Sequence, residues 1–368
     1  MSGAVVVAGG GTAGHVTPAL AVAEALVTLG VARSDVHLVG ARRGMEATLV
    51  PPSGFPLTLF DLRNFPRRVT PMHLVSAVRL VGGLVRAFVL IGRLRPRAVL
   101  SVGGYASVPT VAAAWLRGVP IVVLSYDAVP GLASRLAGRV AAACAVAFAS
   151  SPLPRQVLTG APIAPVLAAC EPDRDRAAAR VTLGLPAGRS VVLVIGGSLG
   201  SGKLNELTTG LLRRWTGRTD VAVRLVTGTR NAGSAPAASD GADGPFVQVV
   251  PYEDHMEHAY AAADLVLARA GATTVAELAA LGVPSVLVPW PLAADDHQTA
   301  NARSLADAGG CTLLAEEGLT VDRLATEIDR LLGDREVRSA MATAARTVGR
   351  RDAAQKVAEL VLTVGRPS

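Results

Sequence analysis

Apolar residues arrive in short unbroken runs along this chain, each closed by glycine or proline and followed by a longer stretch with helical spacing. Ala4–Ala8 is such a run; three glycines end it, and a helix is predicted over about Pro18–Leu29. Val36–Val39, Ala98–Val102, Ile121–Leu124 and Ala143–Phe148 repeat the run, with an Ala-rich helix expected near Thr110–Leu116. Continuous runs, rather than strict alternation, predict strands buried on both faces: a parallel sheet between two helical layers.

Near residues 150–175 the pattern breaks. Pro152, Pro154, Pro162 and Pro165 interrupt it, the charged stretch Glu171–Arg176 follows, and we place a domain junction there. The pattern then restarts with strands at Ser190–Ile195, Val221–Val226, Leu265–Ala268 and Ser285–Pro289, and a helix at about Gln298–Ala308. The fold class is therefore α/β, with two doubly wound, Rossmann-like domains at 1–164 and 165–344. A closing helical stretch, 345–368, is expected to pack back on the first. Ligands of such sheets bind outside the C-terminal ends of the strands, so the expected site is a cleft where those ends face each other.

Composition narrows the function. Of 368 residues, 50% are hydrophobic and 18% charged, which excludes a disordered chain. Aromatics are 4%, so Ala, Val and Leu must fill the core, and ring platforms for stacking nucleic-acid bases are scarce. No nucleic-acid partner is expected. The net charge of +7 favours anionic ligands such as nucleotide phosphates or acidic lipid headgroups. Cys144, Cys170 and Cys311 have neither disulfide nor zinc spacing, which fits a reducing cytoplasm. The N-terminus lacks the pattern of a signal peptide, and no apolar run reaches the roughly 18 residues of a spanning helix.

Several strand-to-helix turns carry candidate chemistry. Gly9–Gly14 satisfies the G-x-G-x-x-G spacing, where glycines admit a ligand to a helix N-terminus. Arg42 and Arg43 follow the second strand, so an NADP-dependent oxidoreductase is one reading of this loop. His15 is either a general base or a residue that ties the loop down. Gly103-Gly104-Tyr105 is either a ligand turn or a tight turn. Gly197–Lys203 has P-loop spacing, but Leu204 stands where the metal-binding hydroxyl belongs, which leaves a metal-free phosphate loop with Ser198 as donor.

Arg269–Glu277 places small residues and two threonines at a helix start, suited to a diphosphate. Glu277 either accepts a ribose diol or forms a capping box with Thr274. Asp295, Asp296, His297, Gln298 and Asn301 suit sugar hydroxyls, or form an ordinary helix start. Asp173-Arg174-Asp175 reads as a solvated helix start with no metal.

Residues 62–97 form a separate feature. Arg63, Arg67 and Arg68 surround Phe65, and a helix over about Met72–Leu94 carries Arg79, Arg86 and Arg93 on one face. It is either a core helix with a wet stripe or a patch that meets an anionic membrane surface.

Taken together, these segments resemble the MurG family of membrane-associated N-acetylglucosamine transferases. The resemblance rests on Gly10–His15, Gly103–Ser107, Ala128–Leu132, Gly196–Ser198, Arg269–Glu277, and His297-Gln298 with Asn301-Ala302, in that order along nearly the whole chain. It implies a GT-B fold and inverting transfer from UDP-GlcNAc to the 4-hydroxyl of a lipid-linked muramyl acceptor, with neither cofactor nor metal. By this likeness Thr12, Ala13, Gly14 and Asp127 lie near the donor. Ser198 and Ala272-Thr273-Thr274, with Val275 and Ala276, hold the diphosphate. Glu277 holds the ribose, the backbone near Glu253 the uracil, and Gln298 the donor sugar. Gly103, Gly104 and Tyr105 meet the acceptor, and His15 is the base. The resemblance also implies a peripheral position at the cytoplasmic membrane face, through residues 62–97, and leaves room for association with other cell-wall synthesis proteins. Two stretches depart from the family pattern. Leu124-Ser125-Tyr126-Asp127 replaces His-Glu-Gln-Asn, and Gly160-Ala161-Pro162-Ile163-Ala164 replaces Gly-Asn-Pro-Val-Arg, so the family's arginine is absent; Arg269 or Lys203 would compensate.

Overall fold

A computed structural model describes residues 3–62, 72–197, 199–231, 233 and 235–366. The chain divides into two compact units, Met1–Pro165 with Asp352–Ser368, and Val166–Arg351.

The first unit is built on seven parallel strands: β1 (Val5–Gly9), β2 (Val36–Ala41), β3 (Leu57–Phe60), β4 (Ala98–Gly103), β5 (Ile121–Ser125), β6 (Ala143–Val146) and β7 (Gln156–Leu158). Their order is β3-β2-β1-β4-β5-β6-β7. The helices are α1 (Ala13–Thr28), α2 (Glu46–Leu49), α3 (Met72–Leu94), α4 (Val108–Leu116) and α5 (Leu132–Val140). Val5, Val6, Val99 and Val122 are wholly buried, as continuous apolar runs require of strands covered on both faces. The strand order reverses between β1 and β4, so the loops that leave these two strands lie side by side.

The second unit repeats the plan after α6 (Pro165–Ala169) and α7 (Pro172–Leu183). Its strands are β8 (Ser190–Ile195), β9 (Val221–Val226), β10 (Phe246–Val250), β11 (Leu265–Ala268), β12 (Ser285–Leu287) and β13 (Thr312–Leu313), in the order β10-β9-β8-β11-β12-β13. The helices are α8 (Gly202–Arg214), α9 (Met256–Ala262), α10 (Ala272–Leu281), α11 (His297–Ala306), α12 (Val321–Gly333) and α13 (Arg335–Val348). Here the reversal falls between β8 and β11, which brings Gly196 and Ser201 beside Arg269.

The last helix, α14 (Ala353–Val364), packs on α1 and on β4–β6 of the first unit. The return starts at Asp352, because residues 345–348 are the last turn of α13, which packs on α10. Arg97 anchors α14 by donating to the Leu362 carbonyl at 3.0 Å.

One helix starts earlier than its sequence suggests. Pro18 reads as a first helical residue, yet α1 begins at Ala13 and carries Pro18 inside it. Proline has no N–H, and its ring pushes on the carbonyl four residues back. The Gly14 carbonyl therefore lacks its helical partner.

Candidate functional site

In the first unit the loop after β1 is held by a carboxylate. Glu46, 2% exposed, accepts from Gly11 N at 2.9 Å through Oε2 and from Ala41 N at 2.6 Å through Oε1. This overturns the dinucleotide reading. The N–H that a pyrophosphate would need is already bonded, and the bonded group is an anion that repels phosphate. Arg42 and Arg43 are exposed beside it with no such ligand to serve.

The same loop presents His15. Thr12 stands at the N-cap of α1 without capping it; its Oγ1 lies 3.0 Å from His15 Nδ1. With Nδ1 so engaged, Nε2 is the nitrogen left for chemistry. His15 is partly buried, and burial pulls its pKa below the usual imidazole value, against the opposing pull of Asp127 and Glu46. Burial thus favours the neutral ring, the form a base needs before it acts. Gly103 (φ +87°) lies against that ring: a Cβ there would sit 3.6 Å from Nε2 and Cδ2. At Gly104 (φ +76°) a Cβ would collide with the Gly10 carbonyl, so glycine lets the two loops meet. Tyr105 and Asp127 are partly buried at the same end of the sheet. Thr12, Ala13, Gly14, His15, Gly103, Gly104, Tyr105 and Asp127 thus come together, joined by Glu46 and Tyr126. Tyr126 is 5% exposed; its hydroxyl donates to the Gly14 carbonyl at 2.9 Å, and its ring centroid lies 6.0 Å from that of His15.

In the second unit α10 opens at Gly271, whose backbone is extended and which has no side chain to cap the helix. The first N–H groups of a helix have no intrahelical acceptor, so the turn Ala272-Thr273-Thr274 is an anion site in waiting. Val275 and Ala276 continue that helix, with Val275 turned into the core. Glu277 does not close a capping box with Thr274: its carboxylate accepts from the buried Tyr260 hydroxyl at 2.8 Å. Burial pushes its pKa up to about 7, although the tyrosine bond works the other way.

Gln298 accepts from Trp290 N at 2.9 Å through Oε1, which leaves its amide NH₂ to donate. Glu253 is 7% exposed; it pairs with Arg224 Nε at 2.6 Å and accepts from His255 N at 3.1 Å. Its side chain is thus structural, and only the neighbouring backbone is free to meet a base. Ser198 lies outside the described residues, as do Arg63, Phe65, Arg67 and Arg68.

Several expectations change. Arg269 does not reach for a diphosphate. It is 7% exposed and braces the loops from within, donating to Ser201 Oγ at 3.1 Å and to the Val288 and Pro289 carbonyls, and pairing with Glu316. Lys203 pairs with Glu206 at 3.2 Å on the outside of α8. With its guanidinium taken up by Ser201, the two carbonyls and Glu316, Arg269 does not replace the family's arginine. Asn301 is wholly buried and donates to the Ala270 carbonyl at 3.4 Å, so it shapes the turn and does not meet a sugar. Asp173 and Asp175 pair with Arg346 and Arg174. Among the described residues one group has metal-ligand spacing, His255, Glu257 and His258, with ligand atoms within 4.8 Å of one another; it lies at the start of α9.

α3 has a buried face and an exposed one. Gly83, Ala87 and Ile91 point inward, whereas Val81, Val85, Phe88 and Val89 are exposed beside Arg86 and Arg93. Arg79 leaves the arginine stripe to pair with Asp61 at 2.7 Å. Trp115 and Leu116 extend the exposed apolar surface, and Arg117 stacks over Phe88 at 3.8 Å. Among the described residues no helix is long and apolar enough to cross a membrane.

Comparison with known proteins covers nearly the whole chain. Residues 5–146 match the family model described as the glycosyltransferase family 28 N-terminal domain, and residues 191–357 the one described as its C-terminal domain. The chain is 39% identical, over 98% of both proteins, to the UDP-N-acetylglucosamine–N-acetylmuramyl-(pentapeptide) pyrophosphoryl-undecaprenol N-acetylglucosamine transferase of Nocardioides sp.. To the protein of the same name from Alkalilimnicola ehrlichii it is 41% identical, over 98% of this chain and 99% of that one. The structure also resembles the crystal structure of Acinetobacter baumannii MurG, with a TM-score of 0.73 at 30% identity, over 98% of this chain and 99% of that chain.

Proposed function

The chain belongs to the MurG family of GT-B glycosyltransferases, and on that premise we propose that it moves N-acetylglucosamine from UDP-GlcNAc to the 4-hydroxyl of undecaprenyl-pyrophosphoryl-MurNAc-pentapeptide, converting lipid I to lipid II. The observation that carries this reading is the likeness over 98% of both chains to a protein named for that reaction.

In the proposed mechanism the first unit takes the acceptor at Gly103, Gly104 and Tyr105. His15 Nε2 removes the proton of the 4-hydroxyl, while Nδ1–H donates to the Thr12 hydroxyl. The oxygen attacks C1 of the sugar, the bond from C1 to the diphosphate oxygen breaks, and the configuration inverts. The second unit holds the donor. The leaving diphosphate gains its charge against the N–H groups and hydroxyls of Ala272-Thr273-Thr274, at the positive end of α10. Ser198 belongs to the same phosphate cradle. Glu277 accepts from the ribose diol, the backbone beside Glu253 meets uracil, and the Gln298 amide donates to the sugar. Thr12, Ala13, Gly14 and Asp127 complete the donor contacts. The apolar face of α3 with Arg86 and Arg93 suits peripheral attachment to an anionic bilayer.

The test is UDP release from UDP-GlcNAc with lipid I, set beside a panel of other hydroxylated acceptors. Turnover with lipid I at least tenfold above every other acceptor is expected. A preference for an acceptor without the muramyl group assigns the enzyme to another pathway.

A further inference from the structure

The geometry points to Tyr126 as a positioning residue for His15, acting through the backbone carbonyl that Pro18 leaves without a helical partner. The inference rests on the reading of His15 as the base.

In an unbroken helix the Gly14 carbonyl accepts from the N–H of residue 18. Residue 18 is proline, so that bond is missing one residue away from His15. A partly buried carbonyl without a donor is costly, and a first turn without its bond frays. Tyr126, at the end of β5 and 112 residues further along the chain, donates its hydroxyl to that carbonyl at 2.9 Å. Its ring also meets the His15 ring edge-on, with an interplanar angle of 61°. Burial holds the Tyr126 pKa well above the usual phenol value, so the hydroxyl remains a donor wherever the enzyme works.

His15 is thereby held from two sides. Thr12 fixes Nδ1 from within the loop, and Tyr126 fixes the preceding peptide and one side of the ring from the sheet. The direction of Nε2 depends on both. Tyr126 is also where this chain departs from the glutamine of the family pattern, so the tether is a property of this sequence.

A double-mutant cycle tests the inference. In Tyr126→Phe the ring stays and the donor goes. We expect kcat with lipid I to fall about tenfold, KM for UDP-GlcNAc to stay within twofold, and the acidic limb of the kcat/KM pH profile to move. Pro18→Ala supplies the missing N–H at position 18. The double variant Pro18→Ala/Tyr126→Phe should therefore recover most of the lost kcat. A purely structural tyrosine lowers the melting temperature and leaves the kcat of the folded fraction and its pH profile unchanged; that result, or a double variant no better than Tyr126→Phe, overturns the proposal. His15→Ala run in parallel separates the two readings. Full turnover there removes the base itself, whereas its loss together with an active Tyr126→Phe removes only the tether.

Discussion

The loop before α1 and the turn before α10 are the same device, a buried parallel strand that ends in glycine and opens a helix, yet the protein has finished them in opposite ways. Before α1 the loop is held by protein groups, although Thr12 does not cap the helix: Glu46 takes Gly11 N, the Thr12 hydroxyl goes to His15, and Tyr126 takes the Gly14 carbonyl. Before α10 the turn is left open among the described residues: Gly271 offers no cap, and Thr273 and Thr274 stand in the first turn, whose N–H groups have no intrahelical acceptor. A loop held by protein groups can orient a side chain, whereas a helix start left open suits an anion. In the proposed mechanism one supersecondary unit would thus supply the base in one half and the phosphate site in the other.

The comparison breaks most sharply at the imidazole. His15→Ala should lower kcat by about 10³, within the usual range for a general base. The Kd for UDP, measured by calorimetry, should stay within twofold, since the proposed diphosphate site lies at α10. Unchanged turnover would falsify the assignment. The converse applies at α10. Glu277→Ala should raise the KM for UDP-GlcNAc about 30-fold, the range of a lost charge-assisted hydrogen bond, with kcat nearly unchanged. Unaltered UDP affinity in that variant means that the ribose lies elsewhere.

Glu46 tests whether the first loop is held as the contacts say. Glu46→Ala leaves Gly11 N and Ala41 N without their acceptor. The cost is about 3 kcal/mol, or roughly 6–12 °C in Tm for a unit of this size. A melting curve within 2 °C of the parent shows that the carboxylate is dispensable and that the contrast with α10 lies elsewhere.

The contrast was only half visible in the sequence. The central strands were legible because apolar runs such as Ser190–Ile195 need no partner to be recognised. The turn at Ala272–Glu277 was legible because all its groups are neighbours in the chain. β7 escaped notice because all three of its residues are exposed at a sheet edge among prolines. β10 was hidden because Gln248 interrupts its run and its partner β9 lies across a long loop. Glu46 and Tyr126 were missed for a different reason. Their bonds reach loop residues 35 and 112 positions away, and only the strand order brings them there. Arg269 misled in the other direction: a cation beside a phosphate turn suggests a ligand, but the buried guanidinium is used up by carbonyls, Ser201 and Glu316.

The mildest test concerns proton uptake at α10. The Glu277 pKa is raised to about 7 in the folded protein, from an ordinary value of 4.5, chiefly by burial. A raised pKa means that the folded unit takes up this proton more readily than the unfolded chain. The group's contribution to stability is therefore fully present below pH 4.5 and is lost as pH rises through 7. Donor binding should run the other way, because the ribose hydroxyls are best accepted by the ionised carboxylate. The KM for UDP-GlcNAc should thus rise a few-fold between pH 8 and pH 6 in the parent enzyme. In Glu277→Gln, which cannot ionise, it should stay flat over that interval. At α1, where the charged groups are protein partners and not ligands, no comparable change in UDP affinity is expected from Glu46→Gln. Parallel pH profiles for parent and Glu277→Gln place the titrating group outside the donor turn. A slope that vanishes in Glu277→Gln and survives in Glu46→Gln assigns the proton to the open helix start.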